Sequence, residues 1–206
     1  MTGRYKKSVI ILIGSILFGL FSLTDTNALE KQRLQVKSYP LNEPVNYFNY
    51  GGKSYISIGK SKDSILIGYQ ANKNLNLPDG KVRTVLVQKG VGENDPWIGK
   101  YKGGIYSAES ENAELIASIE YRNVFIDGKE KTFQMEKKAG EERWQVITAD
   151  GKIYYENADR QLVLSGHEER RKVILDDKEL YLLMRKELKP DSLWECEYNG
   201  KVLWSK

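Results

Sequence analysis

Turn signals at short intervals between alternating apolar runs, together with an uncharged apolar stretch behind a basic N-terminus, predict a mainly β exported protein. The expected architecture is antiparallel hairpins forming a sandwich or small barrel, with room for one short helix, preceded by an N-terminal apolar export helix. A lone cysteine, Cys196, leaves this fold without an internal disulfide, so it must stand on its core.

The export segment is residues 1–28. Arg4, Lys6 and Lys7 precede any acid, residues 8–23 carry no charge, and a short polar stretch follows. This basic, apolar, small-and-polar order is that of a secretory signal, whose basic end stays on the cytoplasmic side. Thr26 and Ala28 supply the small side chains that signal peptidase needs, which places the cut before Leu29. The alternative is an uncleaved anchor over the same residues. The apolar run spans about 24 Å as helix, against about 30 Å of hydrocarbon, which favours cleavage. Either way residues 29–206 lie outside the cytoplasm: periplasmic, at the cell surface or secreted. The chain contains no Asn-X-Ser/Thr sequon and its signal is rich in lysine and isoleucine, which points to a bacterial envelope. No cysteine lies near the cut, so a lipoprotein anchor is not expected.

Residues 29–206 suffice for a single β-rich domain with a sizeable core. The Gly-rich stretch 89–104 reads as a long loop or a seam of subdivision. The chain's net charge of +4 is spread among acids and falls by two when Arg4, Lys6, Lys7 and Asp25 leave. That excludes a nucleic-acid footprint and leaves membrane contact only to residues 1–28, if uncleaved. The densest cationic run, Arg170-Arg171-Lys172, directly follows Glu168-Glu169 and reads as a solvated strand entrance.

Taken in order, Gly51-Gly52, Asp79-Gly80, Asp127-Gly128, Asp150-Gly151, Asp176-Asp177 and Asn199-Gly200 mark turns, because these residues tolerate positive φ. Between them, residues 55–59, 64–69, 82–88, 123–126, 131–135 and 161–164 alternate as strands. Residues 110–121 fit a strand through Leu115, Ala117, Ile119 and Tyr121, or a short helix behind Ser110; alternation favours the strand. A two-residue turn at Asp150-Gly151 would put Trp144, Val146, Thr148, Ile153 and Tyr155 on one face. The same turn at Asp176-Asp177 gathers Val173, Leu175, Leu180 and Leu182. At Asn199-Gly200 it pairs Tyr198 with Lys201 and Glu195 with Trp204. Trp194, Cys196, Tyr198 and Leu203 then form the buried face, and Trp204 should stand exposed beside Glu195 and Glu197.

No motif names a reaction. His167 is the single histidine, so HExxH and other multi-histidine zinc sites are excluded, and no G-x-S-x-G elbow exists. No catalytic residue, metal or cofactor is assigned. Glu93, Asn94 and Asp95 could offer oxygens to Ca²⁺, but such a run before a proline more often marks a turn. The aromatics carry more information. Trp97, Tyr101 and Tyr106 sit in or beside the Gly-rich stretch, Trp204 closes the chain, and Tyr47, Phe48 and Tyr50 precede the first turn. Flat apolar rings on loops suit recognition of a small ligand, a glycan or a protein. The competing role is filling the ends of the core. The function expected is therefore an exported, non-catalytic protein binding a ligand or partner through Trp97, Tyr101, Tyr106 and Trp204. The alternatives are an exported carboxylate-dependent hydrolase and a structural component of a surface assembly.

Overall fold

A computed structural model describes residues 32–206, and the export segment with its predicted cut lies outside the described residues. The described residues are mainly β with no helix, and their sixteen strands join one sheet. Strands β1 (Arg33–Gln35) and β2 (Lys37–Pro40) come first. From β3 (Val45–Tyr50) onward each strand pairs antiparallel with the next.

Left-handed turn residues set this meander. Gly51 and Gly52, at φ +56° and +73°, join β3 to β4 (Lys53–Ile58). A loop through Asp79 and Gly80 joins β5 (Ile65–Asn76) to β6 (Val82–Lys89). The Gly-rich stretch holds loop residues 90–97 and then a hairpin of β7 (Ile98–Tyr101) and β8 (Gly104–Ser107), turned at Lys102-Gly103. The sheet runs unbroken through it, with β6 paired to β7 at Val87–Gly99. The ambiguous residues 110–121 fall mostly in β9 (Glu114–Ile126), as alternation favoured. Asp127-Gly128 turns β9 into β10 (Lys129–Lys138).

The hairpin of β11 (Gln145–Ile147) and β12 (Lys152–Glu156) departs from the expected register. Ile147 faces Ile153 and Val146 faces Tyr154, one residue off the two-residue turn. Thr148 N–H donates to the Lys152 carbonyl at 2.9 Å, closing a three-residue loop in which Gly151 alone adopts positive φ, +79°. The apolar face is therefore Trp144, Val146 and Tyr154, packed on Val124 and Met135, and not the face with Tyr155.

β13 (Leu162–Leu175) and β14 (Lys178–Glu187) turn at Asp176 and Asp177, both at positive φ, with Val173 opposite Leu180 as expected. β15 (Trp194–Tyr198) and β16 (Lys201–Ser205) pair in the expected register, Tyr198 with Lys201 through Glu195 with Trp204. β1 adds parallel to β16, and β2 pairs with the second half of β13. Trp204 is half-buried rather than exposed, because β1 brings Gln35 level with it.

The apolar faces gather in four clusters. One holds Val36, Val173, Leu182, Met184, Cys196 and Leu203. Another holds Leu75, Leu77, Val85 and Val87. The sheet also bends back on itself: Arg170 on β13 reaches the Tyr47 hydroxyl on β3 at 3.4 Å, 123 positions away in the chain.

Candidate ligand-binding cleft

The run Glu168-Glu169-Arg170-Arg171-Lys172 is not a solvated strand entrance. It lies mid-strand in β13, between β14 on one side and β2 with the β11–β12 turn on the other, and two of its charges, Glu168 and Arg171, are buried. Alternation sends Glu168 and Arg170 to one face and Arg171 to the other. Arg171 is buried over the Trp194 ring at 4.6 Å and donates to Ser38 at 2.9 Å. Glu168 stands opposite Arg185 of β14, which stands opposite Glu195 of β15. The result is a row of alternating charge across three strands. Arg185 Nε meets Glu168 Oε2 at 2.6 Å, and Arg33 of β1 holds Glu195.

This row borders a cleft of about 920 Å³. Lys138 at the end of β10, Glu141 beyond it, and Glu197 of β15 add to its charged lining, as do Lys186, Glu187, Lys189 and Asp191; Ile153, Leu193 and Pro96 supply apolar surface. Burial pushes the Glu168 carboxyl above its ordinary value, outweighing Arg185. Burial likewise pushes the Lys138 ammonium down; Glu141 partly offsets this and Arg185 adds to it. A neighbouring pair, Lys100 and Glu136, is closed at 2.7 Å.

One wall of the cleft is carried by loop 90–97. The Asp95 carboxylate accepts the Gly92 N–H at 2.8 Å and the Asn199 N–H at 2.7 Å, and Asn94 N–H donates to Asn199 Oδ1 at 2.9 Å. Of the oxygens considered for Ca²⁺, both on Asp95 are thus spent on backbone amides. Gly92 fits because a Cβ there would lie 2.4 Å from the Asp95 carboxylate.

The aromatics singled out in the sequence lie elsewhere. Trp97, Tyr101 and Tyr106 come together against the Leu75–Val85 cluster, each half-buried. Lys73 and Lys89 sit over the Trp97 ring at 4.8 and 5.6 Å, and Lys102 over Tyr101 at 5.5 Å, so these two rings already carry cations on a face. None of these three, nor Trp204, lines the cleft. A smaller hollow of about 640 Å³ beside Trp144 and Tyr155 is similar in kind. Arg122 and Arg143 cover those rings at 4.9 and 5.0 Å, and Arg122 is bound to Glu156 at 2.6 Å. By contrast Tyr50 is 79% exposed, and Phe48 stacks on Tyr55 on the outer face of the β3–β4 hairpin.

Nothing in this geometry sets up a nucleophile. Ser165 at the cleft edge gives its hydroxyl to the Ile153 carbonyl at 3.1 Å, and His167 lies opposite Lys152 in the sheet. Glu168 is the one carboxyl among the described residues that is both raised and buried, and Arg185 holds it. No signal in the sequence joined Lys138, Glu168, Arg185 and Glu195, which come from four strands. No protein-family model matches the chain, and no curated protein or solved structure shows significant similarity to it.

Proposed function

We propose that this chain is an exported, non-catalytic binding protein whose ligand occupies the cleft bordered by β10, β14 and β15, the sheet being rolled into a small barrel around it. The cleft itself carries the reading. Its volume of about 920 Å³ falls in the range of roughly 300–1,000 Å³ usual for small-ligand sites. Its lining joins many charges, Lys138, Arg185 and Glu195 among them, to apolar surface from Ile153, Leu193 and Pro96, and among the described residues no second raised carboxyl stands by Glu168 to favour the hydrolase alternative. The test is a small-molecule screen by ligand-observed NMR, repeated on Ser192→Trp, which fills the cleft from its rim, and on Trp97→Ala. Loss of the hits in Ser192→Trp alone supports the cleft. Hits that survive Ser192→Trp and vanish in Trp97→Ala return the site to the loop aromatics.

A second reading, assembly at a sheet edge, draws on β3. Gly59 N–H donates to the Pro44 carbonyl at 2.8 Å. By alternation Asn46, Phe48 and Tyr50 then bond to β4, while Val45, Tyr47 and Asn49 turn their N–H and C=O groups away from it. No charge interrupts this strand, as one would on a protected edge. Sedimentation over a concentration series tests it. Self-association abolished by Asn49→Pro would support it, and a monomer at all concentrations would remove it.

A further inference from the structure

Strand β3 pairs with β4 alone, and the backbone groups of Val45, Tyr47 and Asn49 point away from that partner. Among the described residues no backbone hydrogen bond reaches them. Sheet edges are usually guarded by a charge, a proline or a bulge. Residues 45–50 have none of the three: they are uncharged, and their register with β4 runs unshifted from Val45–Ile58 to Tyr50–Lys53. The nearest acid, Glu43, is drawn back across Gly59.

The other end of the sheet is built differently. β1 is 3 residues long, carries Arg33, and leads at once into β2, which leaves to pair with β13. Copies joined β3 to β1 would grow into an open filament, and so short and charged a strand is a poor partner. β3 can instead meet β3 of a second copy, antiparallel across a two-fold axis. The free groups set the register, because antiparallel strands bond in opposed pairs that exchange both hydrogen bonds. Only an axis through Tyr47 pairs all three residues. Tyr47 then opposes Tyr47 of the second copy, and Val45 opposes Asn49 in both directions.

The same axis seats the exposed side chains. Alternation puts Asn46, Phe48 and Tyr50 on the outer face. Phe48, 39% exposed and stacked on Tyr55 at 5.5 Å, becomes the diagonal neighbour of Phe48 in the second copy, within reach of aromatic contact. A row of rings, Tyr55–Phe48–Phe48–Tyr55, then crosses the seam. Tyr50, 79% exposed, comes level with Pro44 of the second copy.

We infer that the chain forms a closed two-fold dimer by antiparallel pairing of β3 with β3, centred on Tyr47, with Phe48 packed against its symmetry mate. This rests on the reading of β3 as an assembly edge. A strand of 6 residues from each copy buries less than the standard of about 800 Å² per partner, so the dimer is weak, with a dissociation constant in roughly the micromolar range.

The experiment traps the register in the purified protein. In the Tyr47-centred pairing Asn46 opposes Phe48 of the second copy, with Cα atoms about 4.5 Å apart, within disulfide reach. Asn46→Cys and Phe48→Cys are prepared separately; both positions are exposed, so both variants should fold. Mixed at about 100 µM, well above the expected constant, and mildly oxidised, they should give a disulfide-linked dimer on a non-reducing gel. Each variant alone should stay monomeric on that gel, as should the wild type. Linkage of Asn46→Cys alone would put the axis at Asn46, and linkage of Phe48→Cys alone would put it at Phe48. Either result overturns the Tyr47 pairing and leaves β3 as the edge. So do assemblies larger than a dimer, or a dimer that Asn49→Pro abolishes but the mixture fails to link. A wild-type protein that sediments as a monomer at all concentrations overturns both readings.

Discussion

Asp95 receives the backbone N–H of Asn199 at 2.7 Å across 104 positions of the chain, tying the loop after β6 to the last hairpin turn. Two sequence features make the bond. Asn199 adopts φ +51°, as the first residue of its turn requires. Asp95 is buried, with its other oxygen held by Gly92. The bond fixes Pro96 and Asp95 in the wall of the cleft, so the local chemistry of one turn reaches that cleft.

Asp95→Ala should therefore be costly. It leaves the N–H groups of Gly92 and Asn199 without their acceptor, at about 1–3 kcal/mol for each that stays dry. A total loss of about 2–5 kcal/mol is expected in urea melts. Asp95→Asn keeps one acceptor and should cost less. A change within about 0.5 kcal/mol for Asp95→Ala, the size of an ordinary surface substitution, would show that the clasp carries no stability.

Glu168 makes stability depend on pH in a defined direction. Its carboxyl lies above the ordinary 4.5 in the folded chain, because burial outweighs Arg185. The fold thus holds this proton more tightly than the unfolded chain does. The contribution is fully present below the unfolded value and is lost as pH rises through the folded one. Relative to Glu168→Gln, the wild-type protein should lose stability as pH climbs from about 4.5 upward. Paired melts at pH 4 and pH 8 measure the difference. A wild-type advantage that grows with pH would mean that the Arg185 pair, not burial, decides.

Much of the strand order was legible because positive φ is confined to few residue types. Asn199-Gly200 strongly favours a two-residue turn and Asp176-Asp177 does so more weakly; both form one, and their registers follow from them. Asp150-Gly151 was not decidable in the same way. At Asp127-Gly128 both residues are left-handed, whereas at 150–151 only the glycine is, and the dipeptide suits both loop lengths. The cleft was illegible for another reason. Alternation tells which face Lys138, Glu168, Arg185 or Glu195 occupies on its own strand, but not that β10, β13, β14 and β15 turn those faces towards one space. A run of five charges then looks solvated, although two of them, Glu168 and Arg171, are buried.

Gly166 and Gly140 separate steric from conformational demands on glycine. A Cβ on Gly166 would stand 2.6 Å from the Lys186 carbonyl oxygen of the neighbouring strand, so Gly166→Ala must push β13 and β14 apart. About 1–3 kcal/mol is expected, as for an overpacked core. Gly140 has open space around it but φ +80°, so Gly140→Ala should cost about 1 kcal/mol from backbone strain alone. Thermal melts on the two variants check the order. Should Gly140→Ala prove the worse, β13 and β14 are not in close contact at Gly166.

Cys196 should be inert in the folded protein. It faces Leu203 across the last hairpin, is 1% exposed, and packs with Val173 and Met184. Burial, with smaller contributions from Asp95, Glu195 and Glu197, pushes its thiol from 9.0 up to about 12. The thiolate is the reactive form. At pH 8 that shift alone lowers its population about a thousandfold, one decade per unit. Closure of the hairpin over the sulfur slows reaction further, so labelling should proceed only as fast as the strands open. Ellman's reagent at pH 8 is expected to label the native protein over hours and to react at once in 6 M guanidinium. Stoichiometric labelling of the native protein within a minute would mean that the face shared by Trp194, Cys196 and Tyr198 meets solvent, and that the core beneath the last hairpin is open.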